Sequence, residues 1–173
     1  MSDRADRSPA VITVDVIVDA PVEAVWAAVV DWDRQSEWML GTTVRGTTAG
    51  GVGLGGGLEA VTGLGPLRFT DPMVITEWEP PHRCTVKHTG RVVRGYGIFE
   101  VFALPGGRSR FVWSERLDLP LGVAGRVAWP LVKPAFAAGV RASLNKLARG
   151  IEAAHDPADD PGHDPASEGE GAA

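Results

Sequence analysis

Ala10-Val-Ile-Thr-Val-Asp-Val-Ile-Val-Asp19-Ala-Pro21-Val-Glu-Ala-Val-Trp26 changes its hydrophobic period in the middle, and that change sets the order of the first elements. Up to Val18 the period is two: Ile12, Val14, Val16 and Val18 are apolar, while Thr13, Asp15 and Asp19 are polar. β-Branched residues in that alternation predict a half-buried strand. Asp19-Ala-Pro21 stops it. Pro21 suits the first turn of a helix, where its missing N–H costs nothing, and Glu23 lies favourably against the helix dipole. Val22, Val25, Trp26, Val29 and Val30 then follow at helical spacing, which predicts a short helix over 21–31 with one apolar stripe. Asp31-Trp-Asp-Arg-Gln-Ser-Glu-Trp38 predicts a second short helix or helical turn.

Further along, the chain reads as strands. Thr42–Thr48 and Leu58–Thr62 flank a glycine-rich connection, Ala49–Gly57. Leu67–Trp78 is a long strand expected to bend at Pro72, since proline removes a ladder donor. Arg83–Thr89, Val93–Leu104 and Arg108–Leu119 follow, the last two joined by the turn Pro105-Gly-Gly107. Short turns between strands predict an antiparallel meander. Phe136, Val140, Leu144, Leu147 and Ile151 then recur every three or four residues, opposite Arg141, Asn145, Arg149 and Glu152. They predict an amphipathic helix from about Pro134 to Ala154, with a preceding helical piece, Gly122–Pro130, broken near Trp129-Pro130. The fold class is therefore α+β: a curved antiparallel sheet of six to seven strands closed over a long C-terminal helix. One helix cannot fill the hollow of a strongly bent sheet, and the leftover space is where such an architecture holds a ligand.

The domain is expected over 10–154, between disordered tails at 1–9 and 155–173. The chain of 173 residues has a net charge of -5, but six of its 22 acidic residues lie after His155 without a Lys or Arg among them. The body is left with 16 acids against 17 bases. A near-neutral body without a basic cluster argues against nucleic acid as a partner. One cysteine, Cys84, excludes an internal disulfide and is expected to be a small buried hydrophobe. Asp3, Arg4, Asp6 and Arg7 stand where a signal peptide needs an apolar run, and the apolar stretch 117–144 is cut by Arg126, Lys133, Arg141 and two prolines. A soluble, cytoplasmic protein without a transmembrane segment is the expectation. No cofactor is implied. No metal site is implied either, since two of the four histidines, His155 and His163, lie in or at the tail.

Gly51-Val-Gly53-Leu-Gly-Gly56 matches a dinucleotide-binding pattern literally. That pattern needs a helix directly after it, and Leu58–Thr62 leaves no room for one before Gly63 and Gly65-Pro66. It reads instead as a flexible hairpin. On the fifth expected strand Cys84, Val86 and His88 share a face, and on the last strand Phe111, Trp113, Glu115 and Leu117 do. Both sets point inward, which brings His88 and Glu115 into one interior. A buried carboxylate is costly unless paired or protonated. The pair either orients a ligand or does acid–base chemistry, or is only a structural hydrogen bond, or Glu115 meets an arginine at the rim. Tyr96, Ile98, Glu100 and Phe102 oppose Gly97, Phe99 and Val101, and bulk on both faces leaves that register open. Trp26 belongs to the core by its helical stripe, while Trp38, Trp113 and Trp129 are candidates for a pocket wall. Arg91 and Arg94 flank a turn and read as solvated.

Several of these segments together resemble the START-like superfamily, in its bacterial polyketide cyclase/dehydrase and lipid-transport branch. They are Val14–Trp26, Asp31 with Trp38, Val74-Ile-Thr-Glu-Trp-Glu-Pro-Pro-His-Arg83, Phe111-Val-Trp-Ser-Glu115 and the long last helix. The resemblance covers about 10–154 and implies the helix-grip fold. It carries over no catalytic residue, because that superfamily shares no catalytic set, and it implies that the glycine hairpin lies near the pocket mouth as a gate. Three functions stay open. The first is binding or transport of a hydrophobic small molecule (lipid, polyketide or isoprenoid) in a pocket lined by Trp38, Met39, Met73, Ile75, Val86, His88, Tyr96, Ile98, Trp113, Glu115, Phe136 and Val140. The second is a cyclase or aromatase in which His88, Tyr96 and Glu115 move protons around a substrate held in place by the cavity. The third is an interaction module with a filled interior.

Overall fold

A computed structural model describes residues 10–63, 65, 68–91, 93–118 and 123–155. Seven strands form one antiparallel sheet: β1 (Ala10–Val18), β2 (Thr42–Gly46), β3 (Gly57–Thr62), β4 (Phe69–Glu79), β5 (Arg83–His88), β6 (Gly95–Leu104) and β7 (Arg108–Leu117). Their spatial order is β1-β7-β6-β5-β4-β3-β2, so a meander from β2 to β7 is completed by the first strand pairing with the last. Helix α1 (Val22–Val29) and a short 3-10 helix (Trp32–Glu37) carry the chain from one edge of the sheet to the other, and α2 (Val123–Ala154) closes the concave side. This is the curved sheet closed over a long helix that the hydrophobic patterns predict, and the helix-grip fold that the resemblance implies. The tails assigned to 1–9 and 155–173 lie, except for His155, outside the described residues, as do Leu67, Leu119 and Gly122 at the ends of expected elements.

The core lies between the concave face and the two helices. Ile12, Val14 and Val18 of β1 are buried while Val11, Thr13, Asp15 and Ile17 are exposed, as the alternation required. Val22, Val25, Trp26 and Val29 bury the apolar stripe of α1. Trp26 meets Trp78 edge-on at 5.2 Å. Val140, Leu144, Leu147, Ala148 and Ile151 seat α2 against the same cluster.

Three expectations need correction. The last helix is continuous from Val123, through Pro130 and Pro134, rather than broken near Trp129-Pro130. Both prolines are exposed. The strand holding Pro72 keeps its register there, because Pro72 lies at the end of the β4–β5 ladder and is asked only for its carbonyl, which accepts from the Thr89 amide at 2.8 Å. The irregularity comes later, a bulge between Ile75 and Glu77. It exchanges the faces of β4, so Trp78 turns inward while Glu77 binds Arg83 and Thr85 on the outside. Finally, the glycine-rich connection is fastened rather than free. Trp32 Nε1 donates to Gly51 O at 2.7 Å, and the Gly55 amide donates to Ile75 O at 2.9 Å. Gly51 has φ 73°, and a Cβ there would lie 2.4 Å from Leu58 and 2.9 Å from Trp32, so only glycine fits. The segment runs into β3 and supplies no helix N-terminus for a pyrophosphate.

Candidate functional site

Between sheet and helix lies a cavity of about 350 Å³. Its apolar lining includes Trp32, Val44, Leu58 and Phe99, with Met39, Ala60, Phe69, Met73, Val86, Trp113 and Val140. Leu40, 55% exposed, and Phe136, 38% exposed, also line it. Among the described residues the cavity therefore reaches the surface between the 39–42 segment and α2. No described residue of 47–57 lines it, so the gate expected at the glycine hairpin is not at this opening.

Three titratable side chains from three strands meet on the wall, one alternation step in from the strand ends that carry Phe69 and Leu117. His88 Nδ1 lies 2.6 Å from Asp71 Oδ2, and His88 Nε2 lies 3.2 Å from Glu115 Oε2. Trp113 Nε1 donates to Glu115 Oε1 at 2.7 Å. All three are buried: Asp71 is 5% exposed, His88 9% and Glu115 8%. Gly97 of β6 makes the space, since a Cβ there would fall 3.1 Å from Glu115 Oε1 and 3.0 Å from Val86. An ionised carboxylate only accepts, so a histidine between two of them donates from both nitrogens and is an imidazolium. Burial alone pulls the imidazole pKa down. The hydrogen bonds to Asp71 and Glu115 and the charges of both outweigh it, raising the pKa from 6.5 to about 9.

A folded-state value above the unfolded one gives stability that is complete below about pH 6.5 and is lost as the pH rises through about 9. Urea unfolding is accordingly expected to show a fall of about 3 kcal/mol between roughly pH 6 and pH 10. A stability flat across that window would mean that the imidazolium is not held this way.

Eight of the twelve expected pocket residues line the cavity: Met39, Met73, Val86, His88, Trp113, Glu115, Phe136 and Val140. Four do not. Trp38 stands behind Trp113, edge-on at 6.3 Å. Ile75 is buried in the core and does not reach the cavity. Tyr96, 40% exposed, and Ile98 lie on the outer face of β6, because Gly97, Phe99 and Val101 take the inner one. Phe99 fixes that choice by meeting Trp113 at 5.3 Å and Phe111 at 5.7 Å, both near perpendicular. The trio His88, Tyr96 and Glu115 is thus not assembled. Trp129 packs half-buried against the core, away from the cavity lining, and Arg91 and Arg94 are exposed. Sequence reasoning missed Asp71, though Phe69, Asp71, Met73 and Ile75 alternate onto one face, and an acid in that row was the available signal.

Cys84 is fully buried, and burial, with the Glu77 charge, pushes its thiol up to about 12, so it is no nucleophile at neutral pH. Among the described residues no group of three or more His, Cys, Asp or Glu side chains is arranged to hold a metal ion. His88, with both nitrogens on carboxylates, presents no lone pair to one. No described helix is long and apolar enough to cross a membrane.

Comparison with known families and structures follows the same outline. The family model described as polyketide cyclase/dehydrase and lipid transport matches residues 9–152. TTHA0849 from Thermus thermophilus superposes with a TM-score of 0.71 at 16% identity, covering 84% of this chain and 99% of that one. The Zhui aromatase/cyclase from Streptomyces sp. R1128 gives 0.69 at 17% identity, covering 87% and 98%. The di-domain ARO/CYC BexL from the BE-7585A biosynthetic pathway gives 0.64 at 19% identity, covering 86% of this chain and 52% of that one. At such identities the likeness is one of fold. A search of the curated proteins finds no match.

Proposed function

The chain belongs to the polyketide cyclase/dehydrase and lipid transport family, and from that premise we propose that its cavity binds a hydrophobic small molecule with one polar group. The observation that carries this reading is a cavity of about 350 Å³ whose lining is apolar except for a few placed polar groups, chiefly the buried Asp71–His88–Glu115 cluster. That is the usual composition of a small-molecule site: apolar walls for affinity and a few fixed polar groups for orientation. Trp32, Phe69, Phe99, Trp113 and Phe136 among the lining residues suit flat or ring-bearing molecules. Carriage of a lipid or polyketide is favoured over a filled-interior interaction module, because the hollow is there to be occupied.

Catalysis of the aromatase/cyclase type is the second reading. The printed description of the similar Zhui protein motivates it. The trio His88, Tyr96 and Glu115 does not support it, because Tyr96 is outside. An enzyme here would have to work with His88, Asp71 and Glu115, and an imidazolium fixed between two carboxylates has no free lone pair to act as a base.

Native mass spectrometry of the purified protein, followed by denaturing extraction, tests binding. A single apolar molecule released on denaturation is the expected result. A mass that stays that of the bare chain after incubation with lipid and polyketide mixtures would count against it.

A further inference from the structure

We infer that the ligand's polar group is a hydrogen-bond donor, such as a phenol or an alcohol, and that the cavity discriminates against carboxylates. The inference rests on the cavity being a small-molecule site and specifies the chemistry at the polar end of its ligand.

The hydrogens at the cluster itself are already engaged. Both His88 nitrogens face carboxylate oxygens, at 2.6 and 3.2 Å, and the Trp113 indole N–H is given to Glu115 at 2.7 Å. Nearer the helix, Ser143 donates to Gly139 O at 3.0 Å while accepting from the Leu40 amide at 3.1 Å. Thr42 and Thr62 share one hydrogen bond of 3.0 Å at the half-buried mouth, which leaves one hydroxyl hydrogen there, away from the cluster. What remains at the cluster is acceptor capacity. A carboxylate has about four lone-pair positions. Each oxygen of Glu115 has one partner and keeps lone-pair capacity, while Asp71 Oδ1, without a partner among the described residues, is too closely packed for a ligand to reach, so Glu115 is the acceptor on offer. A ligand carbonyl or ether set against this wall would meet lone pairs facing lone pairs. A ligand hydroxyl would satisfy one of them.

Charge points the same way. Two carboxylates and one imidazolium leave the cluster one negative charge in excess. A ligand anion buried beside it would be repelled and would lose its hydration without compensation. The rest of the molecule would lie towards Trp32, Val44, Leu58 and Phe99, which offer apolar contact.

A matched set of rigid ligands separates the donor from size and charge: naphthol, methoxynaphthalene and naphthoate, each titrated calorimetrically into the wild-type chain near pH 7. Naphthol should bind about tenfold more tightly than methoxynaphthalene, the factor expected of one hydrogen bond to a charged acceptor, and naphthoate should be the weakest. Glu115→Gln, which replaces an acceptor oxygen with donor N–H groups, should narrow the gap between naphthol and methoxynaphthalene. Methoxynaphthalene or naphthoate binding as tightly as naphthol would overturn the inference while leaving the small-molecule reading intact. Binding of none of the three would overturn that reading itself. The wild-type comparison stands whether or not the variant folds.

Discussion

His88→Leu is expected to destabilise the fold by about 3–5 kcal/mol, because it leaves the Asp71 and Glu115 carboxylates buried without their shared cation. The loss is not the worth of two hydrogen bonds. It is the cost of two acids, each at most 10% exposed at the side chain, that must either stay charged in a poorly solvated wall or take up protons. The variant should therefore become more stable as the pH falls, because protonation relieves both acids. It should also lack the wild-type decline on the alkaline side. Replacing the whole cluster, with Asp71→Val, His88→Leu and Glu115→Met together, should restore much of the stability, since apolar groups of similar size carry no desolvation cost. Urea denaturation of the three proteins at several pH values checks this. A single variant within about 1 kcal/mol of wild type, or a triple variant as unstable as the single one, would show that the cluster is not a coupled charge network.

That network shows where the sequence could be read and where it could not. On β5 Cys84 and Val86 oppose Arg83, Thr85 and Lys87, and on β7 the bulkier set, Phe111 and Trp113, opposes Val112, Ser114 and Arg116, so alternation put His88 and Glu115 in the same interior. On β6 both faces carry bulk, and no pattern could choose between Tyr96 with Ile98 and Gly97 with Phe99. The choice depends on contacts between strands. Gly97 leaves space for the Glu115 carboxylate, and Phe99 packs on Trp113 and Phe111. On β4 the bulge after Ile75 defeats any strict period of two, which is why Trp78 comes inward on the wrong parity. Asp71, before the bulge, was within reach of the same alternation that selected Met73. The helix was legible from Phe136 to Ile151, where its stripe is regular. Its earlier turns hold two prolines that normally end a helix, so local rules gave no ground to run it through them.

Ala60→Trp should abolish ligand uptake while sparing the fold. Ala60 is buried on the inner face of β3, opposite Asp71 on β4, and its methyl group lines the cavity. An indole there would project into the hollow rather than into packed core. The cost in stability should accordingly stay near the low end of the roughly 1–3 kcal/mol typical of overpacking. Loss of most of a cavity that encloses a small ligand should lower its affinity by about a hundredfold or more, the effect of roughly 3 kcal/mol of apolar contact. Fluorescence titration with N-phenylnaphthylamine, which brightens on leaving water, measures this directly on wild type and variant side by side. Saturable binding of one molecule per wild-type chain, lost in Ala60→Trp while cooperative unfolding is retained, is the predicted result. Equal uptake by both proteins, or none by wild type, would contradict the assignment of this cavity as the binding site.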